Sequence, residues 1–270
     1  MNGGTVTTRN IRLLIEYEGT RYSGWQVQRD QRTVAGELLR AIRETLGETP
    51  RLIGSGRTDQ GVHAEAQVAN FLSQSTRPAP EIAGLLNTTL PADINVLKTD
   101  AVPSGFHARH DARTRRYRYQ IALRRTAFFK RFVWWVREPL DQKVMETAAG
   151  ALIGRHDFLS FADRAEEVTE PRVRVSTAAF RRSDFLLSFT IEADHFLPRM
   201  VRRVVGVLVE IGTGRLPAEA MTRFLNETVD DPAQWTAPPS GLFLERVIYP
   251  TVAAPVPRRT RPPRRPTTRR

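Results

Sequence analysis

The stretch Gly54–Gln67, "GSGRTDQGVHAEAQ", places one carboxylate, Asp59, two residues after Arg57 in a glycine-rich segment. Two roles suit it. An aspartate near glycine accepts local backbone hydrogen bonds, and Gly61 supplies a positive φ, so the pattern fits a turn. A carboxylate beside a guanidinium also fits a nucleophile or general base, because a cation within about 4–6 Å favours the charged form. No second acid stands close enough to make a catalytic pair, which disfavours glycosidic hydrolysis between two flanking carboxylates. The chain has no cysteine, so disulfides and thiolate catalysis are excluded and only His, Asp and Glu remain as metal ligands. His63, His107, His110, His156 and His195 are scattered, with only His107 and His110 near each other. No glycine pattern follows the phosphate-loop or dinucleotide fingerprints, and no serine sits in a nucleophile elbow.

The chain is long enough for one large or two modest domains at 270 residues, and its net charge is +12. Residues 251–270, "TVAAPVPRRTRPPRRPTTRR", hold seven arginines and no acid, leaving 34 basic against 29 acidic residues elsewhere. This Pro/Arg-rich segment cannot bury a core, so it is expected to be a disordered tail that adds salt-dependent affinity for polyanions. The 38 arginines against three lysines suit phosphate and base contact, and equally suit codon bias in a GC-rich genome. No apolar run nears the roughly 20 residues that span a bilayer. "MNGGTVTTRN" lacks the apolar core of a secretory signal, so cytoplasmic residence and no membrane partner are expected.

The elements that must position Asp59 are legible from periodicity. Ile11, Leu13, Ile15 and Tyr17 alternate as a strand, and Val34, Leu38, Ala41, Ile42, Thr45 and Leu46 recur at helical spacing until Gly47. "RLIGSG" reads as a short strand, "AQVANFLS" as a strand, "PEIAGLLNTTL" as a helix and "DINVLKTDAV" as a strand. The second half repeats the order: a strand at "TRRYRYQIAL", a helix over 141–153, strands at "RVSTAAFRR" and "FLLSFTIEAD", helices at "LPRMVRRVVGVLVEIG" and 218–226, and a last strand at "GLFLERVIYP". Two βαββαβ units imply an α+β chain of two ferredoxin-like, RRM-like domains with antiparallel sheets and a cleft between them. The expected division is 1–107 with the Asp59 loop, 108–250, and the tail 251–270, the boundary falling within Pro103–Ala112. "RRYRY" puts Tyr117 and Tyr119 on one strand face between arginines, which suits either base stacking or the core.

Several blocks together resemble the bacterial tRNA pseudouridine synthase A family. "GTRYSGWQVQ" is similar to its N-terminal loop and "GSGRTDQGVHAEAQVANF" to its signature around the catalytic aspartate. "LNTTLPADINV", "FHARHDARTRRYRY", "GRHDFLSF", "FLPRMVRRVVGVLVEIGTGRL" and "PPSGLFLERVIYP" follow in the family's order, covering residues 10–250. Ser55 and Gln60 stand where alanine is common, and His110 where phenylalanine or tyrosine is usual.

The resemblance implies two such domains whose antiparallel sheets are joined around a central basic cleft, and a homodimer in which one tRNA engages both subunits. It implies conversion of uridine to pseudouridine at positions 38, 39 and 40 of the anticodon arm with no metal and no cofactor. It implies Asp59 as the catalytic residue, Arg202 as its salt-bridge partner from the second domain, and Tyr117 as the ring that stacks on uracil. It also implies that Leu244 lines the apolar side of the pocket. Arg57 is expected to contact RNA phosphate or to fill the gap left by an everted base.

Overall fold

The computed structural model describes residues 8–250, so the expected tail lies outside the described residues. The first half comprises β1 (Arg9–Tyr17), α1 (Val34–Leu46), β2 (Ile53–Gly54), β3 (His63–Ser73), α2 (Ala79–Asn87) and β4 (Ile94–Val102). The second comprises β5 (Thr114–Ala122), β6 (Trp134–Trp135), α3 (Gln142–Gly150), β7 (Gly154–Asp157), β8 (Arg172–Ser183), β9 (Leu186–Ala193), α4 (Met200–Gly212), α5 (Ala220–Asn226) and β10 (Leu242–Ile248). The expected elements are all present. Strands β6 and β7 are additional, being two and four residues long and too short for alternation to register.

Local chemistry explains the boundaries. Thr33 caps α1, its hydroxyl accepting the Gly36 N–H at 3.2 Å, and Gly47 closes it at φ 69°. Asp141 caps α3 through the Val144 N–H at 3.1 Å. Alternate residues of β1, namely Ile11, Leu13, Ile15 and Tyr17, are buried, and helix α2 packs against β4 while α3 packs against α4 and β8. A single buried cluster runs through both halves.

The result is a mixed α+β fold around one ten-stranded sheet in the order β4-β1-β3-β10-β5-β9-β8-β7, with β2 added to β3 and β6 to β5. Pairings are antiparallel apart from β5–β6 and the seam between the halves, where β10 runs parallel to β3. That seam is two pairs long, Phe243 with His63 and Leu244 with Ala64. Register then carries one row of side chains across the molecule. Tyr17 faces Ala64, Ala64 faces Leu244, and Leu244 faces Tyr117, so all four project from the same face of the sheet.

Candidate active site

Asp59 lies in the turn between β2 and β3, immediately before the seam. The turn is fastened from both sides. Ser55 N–H donates to Val68 O at 2.8 Å, and the Ser55 hydroxyl donates to Gln67 Oε1 at 2.6 Å. Gln67, fully buried, returns a bond from Nε2 to Gly56 O at 3.0 Å. The Tyr17 and Thr58 hydroxyls share a bond of 2.8 Å, while Trp25 N–H donates to Thr58 O at 3.1 Å. Val62 N–H closes the turn on Asp59 O at 3.2 Å, and Gly61 sits at φ 78°, as the turn pattern requires. With its backbone held on either side, the Asp59 side chain is left 35% exposed.

The charge that meets Asp59 comes from the other half of the chain. Arg202, in the first turn of α4, brings Nη1 to 3.5 Å from Asp59 Oδ2. Arg202 is only 15% exposed and its Nε donates to Ala237 O at 2.7 Å, while Ala237 N–H donates to Arg202 O at 3.0 Å. The guanidinium is therefore oriented by the segment leading into β10. Arg57 is exposed and, among the described residues, stands outside this ion pair.

Tyr117 is buried, with its ring edge-on to Phe196 at 4.9 Å and 78°. Burial holds its hydroxyl well above the ordinary tyrosine range, and the nearby Asp59 carboxylate pushes the same way. Tyr17 is likewise pushed up to about 12, by burial first. Both phenols thus stay protonated and can donate. Leu244 is fully buried between Tyr117 and Ala64. Tyr119 is buried too, and its hydroxyl donates to Pro238 O at 2.7 Å, so both strand tyrosines belong to the buried cluster.

Two further groups knit the halves together. Arg115 donates to Ser55 O (2.9 Å), Arg109 O (2.7 Å), Asp194 O (2.8 Å) and Ala112 O (3.2 Å). It ties the Asp59 turn to the strand that carries Tyr117. His63, 1% exposed, accepts the Gly19 N–H on Nδ1 at 3.0 Å and donates from Nε2 to Arg131 O at 3.0 Å. Its ring stacks on Phe243 at 4.8 Å. Burial lowers its pKa, consistent with a neutral ring whose tautomer these two bonds define. Among the described residues no group of three or more His, Asp or Glu side chains could hold a metal ion, and no helix is long and apolar enough to cross a membrane.

Sequence reasoning missed Tyr17, Phe196 and Arg115 as parts of this site. Tyr17 reads as the last apolar residue of an alternating strand, and only its hydroxyl distinguishes it. Phe196 lies just beyond a strand with no periodicity to mark it, and Arg115 is one arginine among many.

A lone carboxylate paired with a fixed arginine at the seam of an α+β sheet makes a site suited to single-carboxylate chemistry. A family profile described as tRNA pseudouridine synthase matches residues 13–111 and 148–250. Proteins named tRNA pseudouridine synthase A align over most of the chain. The one from Clostridium botulinum is 39% identical over 89% of this chain and 100% of its own. That from Rippkaea orientalis is 40% identical over 91% of this chain and 85% of its own. That from Moorella thermoacetica is 40% identical over 88% and 99% respectively. The chain belongs to the tRNA pseudouridine synthase family, and so is an isomerase.

Proposed function

We propose that this chain isomerises uridine to pseudouridine at positions 38, 39 and 40 of the tRNA anticodon stem-loop, with Asp59 as the nucleophile. The observation that carries the reading is the half-exposed Asp59 carboxylate 3.5 Å from Arg202 at the seam of the sheet. Isomerisation breaks the bond from C1′ to N1 and forms one from C1′ to C5. The C5 proton leaves and N1 gains one, so atoms balance without a redox partner. A carboxylate serves by adding to C6 of the uracil or by acting at the ribose to open a glycal route, and both require contact with an everted nucleotide. Tyr117 would carry the detached ring, with Leu244 beneath it as apolar support. Arg57, exposed beside the turn, would meet phosphate or occupy the space the base vacates.

The strand orders β4-β1-β3-β2 and β10-β5-β9-β8 within the two halves support reading them as two ferredoxin-like units, 1–107 and 108–250, fused at the seam. In this reading the protein acts as a cytoplasmic homodimer, one tRNA touching both subunits. The test uses tRNA tritiated at C5 of uridine. Wild type should release label and yield pseudouridine of unchanged mass at 38–40, while Asp59→Asn should bind tRNA and release none. Retained release in that variant refutes the nucleophile; label held by wild type leaves a binding protein, and free uracil among the products would mark a hydrolase.

A further inference from the structure

A second basic and aromatic surface follows the end of β5. The connection after β5, residues 123–133, reads "LRRTAFFKRFV" and contains four cations and no acid. Within it Phe128 is 92% exposed and Phe129 is 49% exposed. The connection is anchored at four points, one of them the Ser240 hydroxyl donating to Val133 O at 3.2 Å. Leu123 N–H donates to Phe185 O at 2.8 Å, Gln120 Nε2 to Phe132 O at 2.9 Å, and His63 Nε2 to Arg131 O at 3.0 Å. Phe129 lies 6.2 Å from Phe185 at the β8–β9 turn, and the Arg124 guanidinium covers the Phe185 ring at 4.1 Å. Exposed Arg181 and Arg182 add two cations from the end of β8. Among the described residues only Arg131 of these six cations meets a carboxylate, Glu18 at 4.0 Å.

Charge selects the occupant. A second copy of this chain docked through the same patch would set cations against cations, with Asp184 the only acid in the turn. A polyanion neutralises them instead, and each exposed phenylalanine offers a face on which a base can stack. We propose that this surface is a second RNA-binding site, which holds the substrate tRNA outside its anticodon stem-loop, with Arg124, Arg125 and Lys130 on phosphates and Phe128 and Phe129 against an unstacked base. It follows Ala122, the end of β5, which stands five residues along the strand from Tyr117, roughly 16 Å at strand rise. That separation from Tyr117 is within the span of a folded tRNA. The inference rests on tRNA being the substrate.

The experiment compares full-length tRNA with an isolated anticodon stem-loop, measuring affinity over a salt series and turnover in parallel. The variants are Phe128→Ala/Phe129→Ala and Arg124→Gln/Arg125→Gln/Lys130→Gln. The aromatic variant should bind tRNA about tenfold more weakly. The charge variant should lose about 0.7–0.9 of the log–log salt slope for each phosphate contact removed. Both should keep wild-type affinity and kcat on the stem-loop. Equal losses on the two RNAs, or no loss on either, overturn the proposal. So does a fall in oligomeric mass by light scattering, which would assign the patch to a second copy. Wild type that bound both RNAs without forming pseudouridine would defeat the Asp59 reading alone, since the binding comparison needs no turnover.

Discussion

Gly206, in the middle of α4, offers a way to test whether the Arg202–Asp59 pair depends on how closely one helix approaches its neighbour. A Cβ at this position would stand 1.4 Å from Trp235 O and 2.5 Å from its carbonyl carbon. A carbon–oxygen contact needs about 3.3 Å, so Gly206→Ala forces roughly 2 Å of separation between α4 and the turn Asp231–Trp235. The acceptor of Arg202, Ala237 O, lies two residues past that turn and must move with it. Alanine gains about 1 kcal/mol of helix propensity over glycine. Overpacking costs about 1–3 kcal/mol, and loss of a hydrogen bond from a charged donor about 1.5–3 kcal/mol. The expected net loss is about 2–4 kcal/mol, or roughly 5–15 °C in Tm for a chain of this size. A displacement of this scale near the reacting groups should also lower single-turnover pseudouridine formation about 10- to 100-fold. Gly84 in α2 provides the control, since a Cβ there meets nothing within 4 Å; Gly84→Ala should stabilise by up to about 1 kcal/mol without touching the rate. Urea melts with single-turnover assays decide the matter. A Gly206→Ala protein that melts at or above wild type with an unchanged rate refutes the reasoning.

The remaining predictions concern the groups that hold the turn. His63 has a lowered folded pKa, so its stabilisation is complete above the unfolded value of 6.5 and is lost as pH falls from there through the folded pKa, at up to about 1.4 kcal/mol per pH unit. Chemical denaturation from pH 7.5 downward should show this slope in wild type and a shallower one in His63→Gln; equal slopes would reject the assignment. Tyr17→Phe deletes the partner of the Thr58 hydroxyl and should cost about 1 kcal/mol of stability. Because Thr58 adjoins Asp59, kcat should fall about tenfold while tRNA affinity stays unchanged; loss of affinity with kcat intact would contradict that placement.

What was legible in the sequence followed from local periodicity. Strand β1 and helix α1 each carry a full apolar pattern and a recognisable end, and both formed where expected. The Asp59 turn was visible through its glycines, but its residue types could not say which of the two proposed roles it serves, since turn and nucleophile use the same ones. Arg202 shows why. It lies 143 residues from Asp59 on a helix whose other first-turn arginine, Arg203, faces Ala162 and Asp163 instead. Nothing in "MVRRVV" distinguishes the two arginines; the difference is rotation about the helix axis, which packing decides. The seam between β3 and β10 was hidden for a related reason, as two pairs of residues leave no pattern of their own.

That seam explains why the site is where it is. Had β10 met β3 in antiparallel fashion, the segments leading into the two strands would lie at opposite ends of the sheet. In the parallel pairing His63 stands beside Phe243, so both lead-in segments arrive at the same end, side by side. One is the Asp59 turn. The other is Ala237–Gly241, whose Pro239 side chain would sit 2.9 Å from a Cβ at Gly61. Tyr119 fixes this second segment through Pro238 O, and Arg202 grips it through Ala237. The arginine therefore reaches Asp59 because it is attached to the segment running alongside that turn. The same register aligns Tyr17, Ala64, Leu244 and Tyr117 beneath them. One short parallel ladder between the two halves thus brings the acid, its cation and the strand carrying Tyr117 together from parts of the chain that share no local signal.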